Sequence, residues 1–152
     1  MKLITSKNVK VFSSVFHGLL AGAVVLTLLI MVPYMSALEL LILWGASVVS
    51  ACYFGWVLGS WYVPIKDERW FFEPYVVTPI ISLLSAVVSG LLFISLTELT
   101  ASAQNMFNLG SVLGGGILIG LYAFVFTLPV TAIVGIAVAL YLYKFGGYKN
   151  VL

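Results

Sequence analysis

The sequence predicts an all-α integral membrane protein: a four-transmembrane-helix bundle with both termini in the cytoplasm (N-in/C-in) and a Pro-kinked fourth helix. Three observations lead to this prediction. Hydrophobic residues make up 62% of the 152 residues and charged residues only 8%, whereas soluble proteins contain about 25% charged residues. The apolar residues form four long runs. All seven lysines and arginines lie at the ends of these runs that would face the same side of the membrane.

The number of helices follows from the length of the apolar runs. A helix that crosses a hydrocarbon core about 30 Å thick needs about 20 apolar residues. The runs do not alternate with period two, so their backbone hydrogen bonds are satisfied within helices and not in a β-barrel. The chain is expected to form a single membrane domain, residues 1–152, with helices at about 11–33, 38–63, 75–97 and 116–143.

Prolines mark the ends of the predicted helices. Pro33 and Pro64 follow the first and second runs. Pro74 and Pro79 lie in or beside the first turn of the third helix, where a missing backbone donor does no harm. The fourth run is long enough to tilt, and Pro129 is expected to kink it. A fifth helix after Pro129 would be too short to cross the membrane.

The first apolar run is interpreted as a membrane span and not as a cleaved signal peptide. Lys2, Lys7 and Lys10 precede it, as in a signal peptide. The apolar part of a signal peptide, however, usually has about 7–15 residues, and this run extends over residues 11–32.

The positions of the charged residues predict the orientation. The basic residues precede the first helix, follow the second and follow the fourth: Lys2, Lys7, Lys10, Lys66, Arg69, Lys144 and Lys149. The positive-inside rule therefore places both termini and loop 64–74 in the cytoplasm and loop 98–110 outside. We expect a multi-pass protein of the plasma membrane, and the compact chain and its charge bias suggest a bacterial inner membrane.

The cytoplasmic loop has two interpretations. In WYVPIKDERWFFEPY, residues 61–75, charged residues are flanked by aromatic ones. A solvated turn with interfacial aromatic anchors explains this pattern. The alternative is a docking surface for a partner, and its candidate residues are Lys66, Asp67, Glu68, Arg69 and Trp70.

The sequence offers no set of residues for catalysis. His17 is the single histidine, Cys52 the single cysteine and Asp67 the single aspartate. Zinc needs three or four ligands and a bis-histidine haem needs a second histidine, so we predict neither a metal nor a cofactor. HExxH, G-x-S-x-G and Walker motifs are absent. The protein is predicted not to be an enzyme, and His17 to be a neutral imidazole bonded to a serine or a backbone carbonyl.

Two carboxylates lie at the predicted outer ends of helices. Glu39 begins the second helix and Glu98 ends the third. Both are within reach of water, so interfacial solvation is the favoured interpretation. If the two helices are neighbours, Glu39 and Glu98 would form a site for a proton or a cation.

Small residues recur at fourfold spacing in three of the four helices. Such stripes allow helices to approach closely in lipid. The glycines of these predicted packing faces are Gly18, Gly22, Gly55, Gly59, Gly116 and Gly120. The glycine-rich GSVLGGGILIG, residues 110–120, lacks the lysine of a phosphate-binding loop. It is interpreted as a helix entrance, with an irregular backbone expected at 114–116.

The third helix carries a polar stripe instead. Thr78, Ser82, Ser85 and Ser89 fall within one narrow arc at 100° per residue. Hydrogen bonds to neighbouring helices are the favoured role, because hydroxyl groups need no cavity for it. The alternative is the lining of a small wet path.

These features predict a non-catalytic membrane protein that docks its helices on a membrane partner or on a second copy of itself. Accessory, assembly, regulatory and immunity-type subunits belong to this class. A small transporter or channel subunit, oligomeric, is the alternative, although no inverted repeat relates the two halves of the sequence. Apart from the lipid bilayer, no further partner class is indicated. Nucleic acid is excluded because no basic patch with interleaved aromatic residues lies outside the loops.

Overall fold

The computed structural model is helical over the residues it describes, which are 6–31, 35–62, 72–101 and 109–145, with side chains described for 9–27, 35–62, 76–100 and 109–137. The helices are α1 (Ser6–Met31), α2 (Ala37–Leu58), α3 (Phe72–Ala101) and α4 (Leu109–Phe145), and a short 3₁₀ turn (Gly59–Tyr62) follows α2 directly. All four α-helices are long and apolar enough to cross a membrane. This confirms the prediction of an all-helical chain with four candidate spans, as expected of a multi-pass membrane protein.

The helices extend beyond the predicted apolar runs. The third helix reaches Ala101 instead of residue 97, and the fourth begins at Leu109 instead of residue 116. Hydropathy locates the part of a helix that lies in hydrocarbon, whereas a helix can continue with polar residues into the interface. Residues 114–116 are therefore helical, where the sequence suggested an irregular backbone.

Two prolines lie inside helices. Pro79 is inside α3, beyond the first turn where the sequence suggested it, because α3 already begins at Phe72. Pro129 is inside α4, and the helix is continuous on both sides of it. Each proline removes one backbone donor from its helix without ending it.

The start of α2 is fixed by a capping box. The Ser36 hydroxyl accepts a hydrogen bond from the Glu39 backbone N–H at 3.2 Å, and the Glu39 carboxylate accepts one from the Ser36 backbone N–H at 2.9 Å. These two bonds satisfy backbone donors that have no partner within the helix. The sequence SALE therefore begins α2 at Ala37.

The helices pack in the order α1–α2–α3–α4, and in the described residues α1 and α4 contact each other far less than the sequential neighbours do. Glycines bring α1 against α2 and α3 against α4. At each predicted packing glycine, an added Cβ would meet the neighbouring helix: Gly18 would meet Cys52, Gly22 Trp44, Gly55 Ser13, Gly59 Lys10, Gly116 Leu91 and Gly120 Val87.

Gly90 is a close-packing residue that the sequence analysis missed. A Cβ at this position would collide with the Gly116 carbonyl oxygen of α4. Only three of the four helices were expected to have a close-packing face, and α3 was not one of them. Ala86 precedes Gly90 by one turn, so α3 contains a small-xxx-small pattern in addition to its polar stripe.

Hydroxyl groups join the two helix pairs. Ser47 of α2 and Ser89 of α3 are hydrogen-bonded at 2.7 Å between their Oγ atoms. Ser50 donates to the Ser85 carbonyl oxygen at 3.1 Å and also to the Ala46 carbonyl oxygen of its own helix. The α2–α3 contact is thus partly polar. The other two contacts each combine glycine packing with an interhelical hydrogen bond, from Ser14 to the Cys52 carbonyl oxygen and from Ser111 to Glu98.

One end of the bundle has an apolar core. Val9 of α1, Leu58 of α2, Tyr62 of the 3₁₀ turn, and Val77 and Ile81 of α3 are buried in one cluster. Val134 of α4 packs against it, so all four helices converge at this end. The central cavity described below begins at Ile81, on the inner side of this cluster.

Candidate functional site

A cavity of about 170 Å³ lies in the centre of the bundle. All four helices line it, and each contributes one alanine to its wall: Ala21, Ala51, Ala86 and Ala123. The wall is predominantly apolar, and no Asp, Glu, Lys or Arg side chain lines it. These four alanines leave a volume between the helices that larger side chains would fill.

The cavity is closed toward the apolar core and opens on the side of α1 and α4. His17, Ile81 and Thr131 are buried and form the closed end. Most of the wall residues on α3 are buried, whereas Ala21 of α1 is partly exposed and Ile119 of α4 is 37% exposed. Partly exposed wall residues occur on all four helices, and the most exposed, Ile119, lies on α4, which does not pack closely against α1.

The polar stripe of α3 faces inward, and its members have different environments. Ser82, Ser85 and Ser89 line the cavity. Thr78 lies one turn beyond the closed end and is fully buried. Thr78 and Ser89 make hydrogen bonds to neighbouring elements, which is the favoured role. The three serines line a predominantly apolar cavity, and the wet path stays a prediction.

Ser85 differs from the other members of the stripe. Its residue is 7% exposed, and its Oγ atom makes no hydrogen bond within the described part of the chain. A serine in a helix can bond to the carbonyl one turn earlier, as Ser95 does with the Leu91 carbonyl oxygen at 2.7 Å. A buried hydroxyl without a partner is unfavourable. Ser85 thus leaves a hydrogen-bonding group unused at the cavity wall.

A buried hydrogen-bond network adjoins the closed end of the cavity. His17 Nδ1 lies 2.8 Å from the Ser13 carbonyl oxygen, His17 Nε2 lies 3.2 Å from the Tyr62 hydroxyl, and that hydroxyl lies 2.7 Å from Thr78 Oγ1. The prediction that His17 bonds a serine or a backbone carbonyl is confirmed. Because a carbonyl can only accept, a neutral imidazole carries its proton on Nδ1 and accepts from Tyr62 at Nε2. Tyr62 then accepts from Thr78.

The network satisfies His17 and leaves neither of its ring nitrogens for a ligand. Cys52 lies against Gly18, in the α1–α2 contact. In the part of the chain that the structure describes, no group of three or more His, Cys, Asp and Glu side chains is placed to hold a metal ion. Both residues therefore have structural roles in helix packing.

The two carboxylates predicted as a proton or cation site each have a local partner. Glu39 belongs to the capping box of α2 with Ser36. Glu98, in the last turns of α3, accepts a hydrogen bond from Ser111 in the first turn of α4. The structure thus gives each carboxylate a role at a helix end.

The predicted docking residues of loop 64–74 lie outside the described residues. These are Lys66, Asp67, Glu68, Arg69 and Trp70.

A polar residue on the outer face of α4 was missed by the sequence analysis. Tyr122 is 64% exposed and makes no hydrogen bond within the described residues. It follows Ser111 by about 16 Å along the helix axis at about 1.5 Å per residue. Tyrosines are usual at membrane interfaces. A tyrosine within an apolar run is therefore unusual, and the sequence alone contains this signal.

A comparison with known proteins finds no family model, no curated protein and no solved structure that matches this chain. The function is therefore argued from the residues and their geometry.

Proposed function

We propose that this chain is a non-catalytic multi-pass membrane protein that acts by docking its helices on a membrane partner, as an accessory, assembly, regulatory or immunity-type subunit. The proposed docking surface is the outer face of α4. The exposed Tyr122 side chain within the apolar outer face of α4 is the observation that carries the proposal. The proposal includes a bacterial inner membrane with both termini and loop 64–74 on the cytoplasmic side, and the positions of the basic residues support this orientation.

The outer face of α4 has the features of a helix-docking surface. Gly114, Leu118, Tyr122, Phe126 and Val130 recur every four residues and are exposed. A Cβ at Gly114 would meet nothing within 4 Å, so the backbone is open to close approach. Small residues with an occasional polar one are typical of helix contacts in lipid, where the hydrophobic effect does not drive association. The face therefore suits a second transmembrane helix.

The helix itself is the least buried of the four candidate spans. Only 11% of its most apolar window is buried within the chain, compared with 33% for α1. Its inward face already contacts α3 through Gly116 and Gly120. The outward face is left for lipid or for a partner, and Tyr122 favours the partner.

The phenol of Tyr122 is costly to leave in hydrocarbon. A hydroxyl without a hydrogen-bond partner loses about 1–3 kcal/mol relative to water by protein mutational data. In this proposal the Glu98–Ser111 contact marks the outer boundary of the hydrocarbon core. Tyr122 then lies about 15 Å from either boundary, too far for its side chain to reach the headgroups. A polar group on a partner helix at the same depth would satisfy it. We expect that group to be a backbone carbonyl or a neutral polar side chain, because a charge at this depth is unfavourable.

The test is recovery of the partner from native membranes in mild detergent. Tyr122→Phe removes the hydroxyl and keeps the ring. Hydrogen bonds between membrane helices contribute about 0.6 kcal/mol on average and up to about 1.7. The variant should therefore lower the affinity for the partner about 3-fold to 20-fold. A stoichiometric larger membrane protein that is recovered less well with Tyr122→Phe supports the proposal.

Tyr53→Phe is the matched control. Tyr53 is 62% exposed on α2, almost the same as Tyr122. It follows Glu39 by about 21 Å along the axis, so it lies about 9 Å from the opposite boundary and can extend toward it. Its substitution should leave recovery unchanged. Equal recovery with both variants would refute the role of α4, and recovery of only a second copy of the chain would identify self-association.

The cytoplasmic loop is the second proposed contact. Replacing Lys66 and Arg69 by Glu should weaken partner recovery if the loop docks, because charges at an interface rim guide association. The same change alters the basic-residue bias, so a topology reporter on the C terminus is needed. Normal topology with unchanged recovery would restrict docking to the helices.

A small transporter or channel subunit is the second candidate, and the inward-facing stripe favours it. Ser82, Ser85 and Ser89 border the cavity. Single cysteines at these positions should react with a membrane-impermeant thiol reagent if the cavity joins a water-filled path. The closed end at His17, Ile81 and Thr131 and the apolar wall predict no reaction. Labelling would make transport the leading proposal.

A further inference from the structure

We propose that the central cavity binds a small uncharged ring that carries one hydrogen-bonding oxygen, a hydroxyl or a carbonyl, and that Ser85 Oγ is its polar contact. The ligand class is that of membrane-soluble phenols and quinone-like rings. The inference is independent of the docking surface on α4, because the cavity lies on the inner face of the helices.

The size of the cavity sets the size of the ring. Its volume is about 170 Å³, and an engineered apolar cavity of about 150 Å³ in another protein binds benzene. The wall combines one alanine from each helix with larger apolar side chains, among them Leu20, Leu43 and Ile119. A single six-membered ring with one or two substituents fits this volume.

The wall chemistry requires an uncharged molecule. No acidic or basic side chain lines the cavity, and the one histidine has both ring nitrogens bonded within the protein. A charged group would therefore be desolvated with no opposite charge to stabilise it. Apolar contact over most of the surface with a few polar groups that fix orientation is typical of small-molecule sites.

Ser85 supplies the specific contact. The residue is more than nine-tenths buried, borders the cavity and has no hydrogen-bond partner within the described residues. A hydroxyl both donates and accepts, so it serves a phenol or a carbonyl oxygen equally. Ser89, the next member of the stripe, is already bonded to Ser47. Of these two buried serines, Ser85 is the one with hydrogen-bonding capacity left. Its Oγ atom has less than 1 Å² of accessible surface in this structure, so the proposed contact includes a rotation about the Ser85 Cα–Cβ bond that turns the hydroxyl toward the ligand.

Depth in the membrane determines how a ligand would enter. Ser85 follows Val76, the start of the apolar part of α3, by about 14 Å along the axis. This is close to the middle of a core about 30 Å thick, so a phospholipid headgroup does not reach it. A ring that dissolves in hydrocarbon enters between α1 and α4, where Ile119, the most exposed wall residue, lies.

The experiment uses the full chain in lipid nanodiscs and fluorine NMR of three probes, 4-fluorophenol, 4-fluoroacetophenone and fluorobenzene. Empty nanodiscs correct for partition into lipid. We expect saturable binding of 4-fluorophenol, of 4-fluoroacetophenone or of both, at an affinity about fivefold higher than that of fluorobenzene, which corresponds to one neutral hydrogen bond. Saturation by the ketone means that the Ser85 hydroxyl donates, because a ketone oxygen only accepts; saturation by the phenol alone means that Ser85 accepts.

Three variants separate the polar contact from the cavity. Ser85→Ala should abolish the fivefold preference and retain fluorobenzene binding. Ser95→Ala is the matched control on the same helix, because the Ser95 hydroxyl is bonded to its own helix outside the cavity, and the preference should persist. Ala123→Leu fills the cavity from its partly exposed side and should abolish binding of all probes.

Two outcomes would overturn the proposal. The first is the absence of saturable binding by any probe while the variants remain folded, as judged by tryptophan fluorescence. The second is a preference for the oxygen-bearing probes that Ser85→Ala does not change. A flexible probe of similar size, 6-fluorohexan-1-ol, tests whether the cavity prefers a ring. If 6-fluorohexan-1-ol binds more tightly than 4-fluorophenol, the proposal of a ring site is refuted.

Discussion

The contact between α3 and α4 leads to a quantitative prediction about Gly120. A Cβ added at Gly120 would lie 2.5 Å from Val87 Cα and 2.6 Å from the Ala86 carbonyl oxygen. Both are backbone atoms, so no side chain can turn away and the helices must separate by about 1 Å to reach ordinary contact. A gap of 0.5–1 Å already loses a quarter to a half of the dispersion energy of the atoms concerned. We expect the overpacking in Gly120→Ala to cost about 1–3 kcal/mol before any gain in backbone propensity is counted, as for other overpacked sites.

Gly114→Ala is the matched control on the same helix. A Cβ at Gly114 would meet nothing within 4 Å. Both substitutions replace glycine by alanine inside a helix, and each gains about 0.5–1 kcal/mol from the lower backbone freedom of alanine. This gain cancels when the two variants are compared. The difference between them is therefore the packing contribution alone, about 1–3 kcal/mol with Gly120→Ala the less stable.

The assay is reversible unfolding in mixed micelles with increasing SDS, followed by the fluorescence of the four tryptophans. The free energy of unfolding of Gly120→Ala should lie below that of Gly114→Ala by the stated amount. Equal values would show that α3 and α4 are not held at the distance that the structure gives. A Gly120→Ala variant more stable than the wild type would refute the packing argument entirely.

Two further predictions concern the polar contacts. Tyr62→Phe removes the hydroxyl that joins His17 to Thr78 and leaves His17 Nε2 buried without a donor, so the free energy of unfolding should fall by about 1–3 kcal/mol in the same assay. A double-mutant cycle of Ser47→Ala and Ser89→Ala should give a coupling of about 0.6 kcal/mol and not above about 1.7. A coupling of zero would mean that the 2.7 Å contact contributes nothing to the α2–α3 interface.

The number of helices could be predicted from sequence, but their ends could not. Four apolar runs of sufficient length correspond to four helices because every backbone group in lipid must be bonded within its helix. The start of α4 at Leu109 was placed seven residues too late, since Gly110 and Ser111 are too polar for a hydrocarbon segment and yet helical. The Ser36 capping box is a local signal that the sequence contains, and it places the start of α2 directly.

The partners of individual residues could not be predicted. The stripe of Thr78, Ser82, Ser85 and Ser89 was visible at helical spacing, but spacing does not say which hydroxyl finds a neighbour. That depends on the opposite helix: Ser47 faces Ser89, and Tyr62 faces Thr78. The exceptional position of Ser85 therefore emerges only when the helices are assembled.

The cavity results from the same residues that hold the bundle together. Gly18 and Gly55 bring α1 and α2 into backbone contact, and Gly90 and Gly116 do the same for α3 and α4. Each close pair has backbone atoms in its contact. The α2–α3 hydroxyl contacts, the Tyr62–Thr78 hydrogen bond and the apolar core around Ile81 join the two pairs. The fourth side, between α1 and α4, has no such glycine contact in the described residues. Small residues that tighten two sides of the bundle thus leave the centre underfilled and the α1–α4 side open, which is the geometry that a ligand from the bilayer requires.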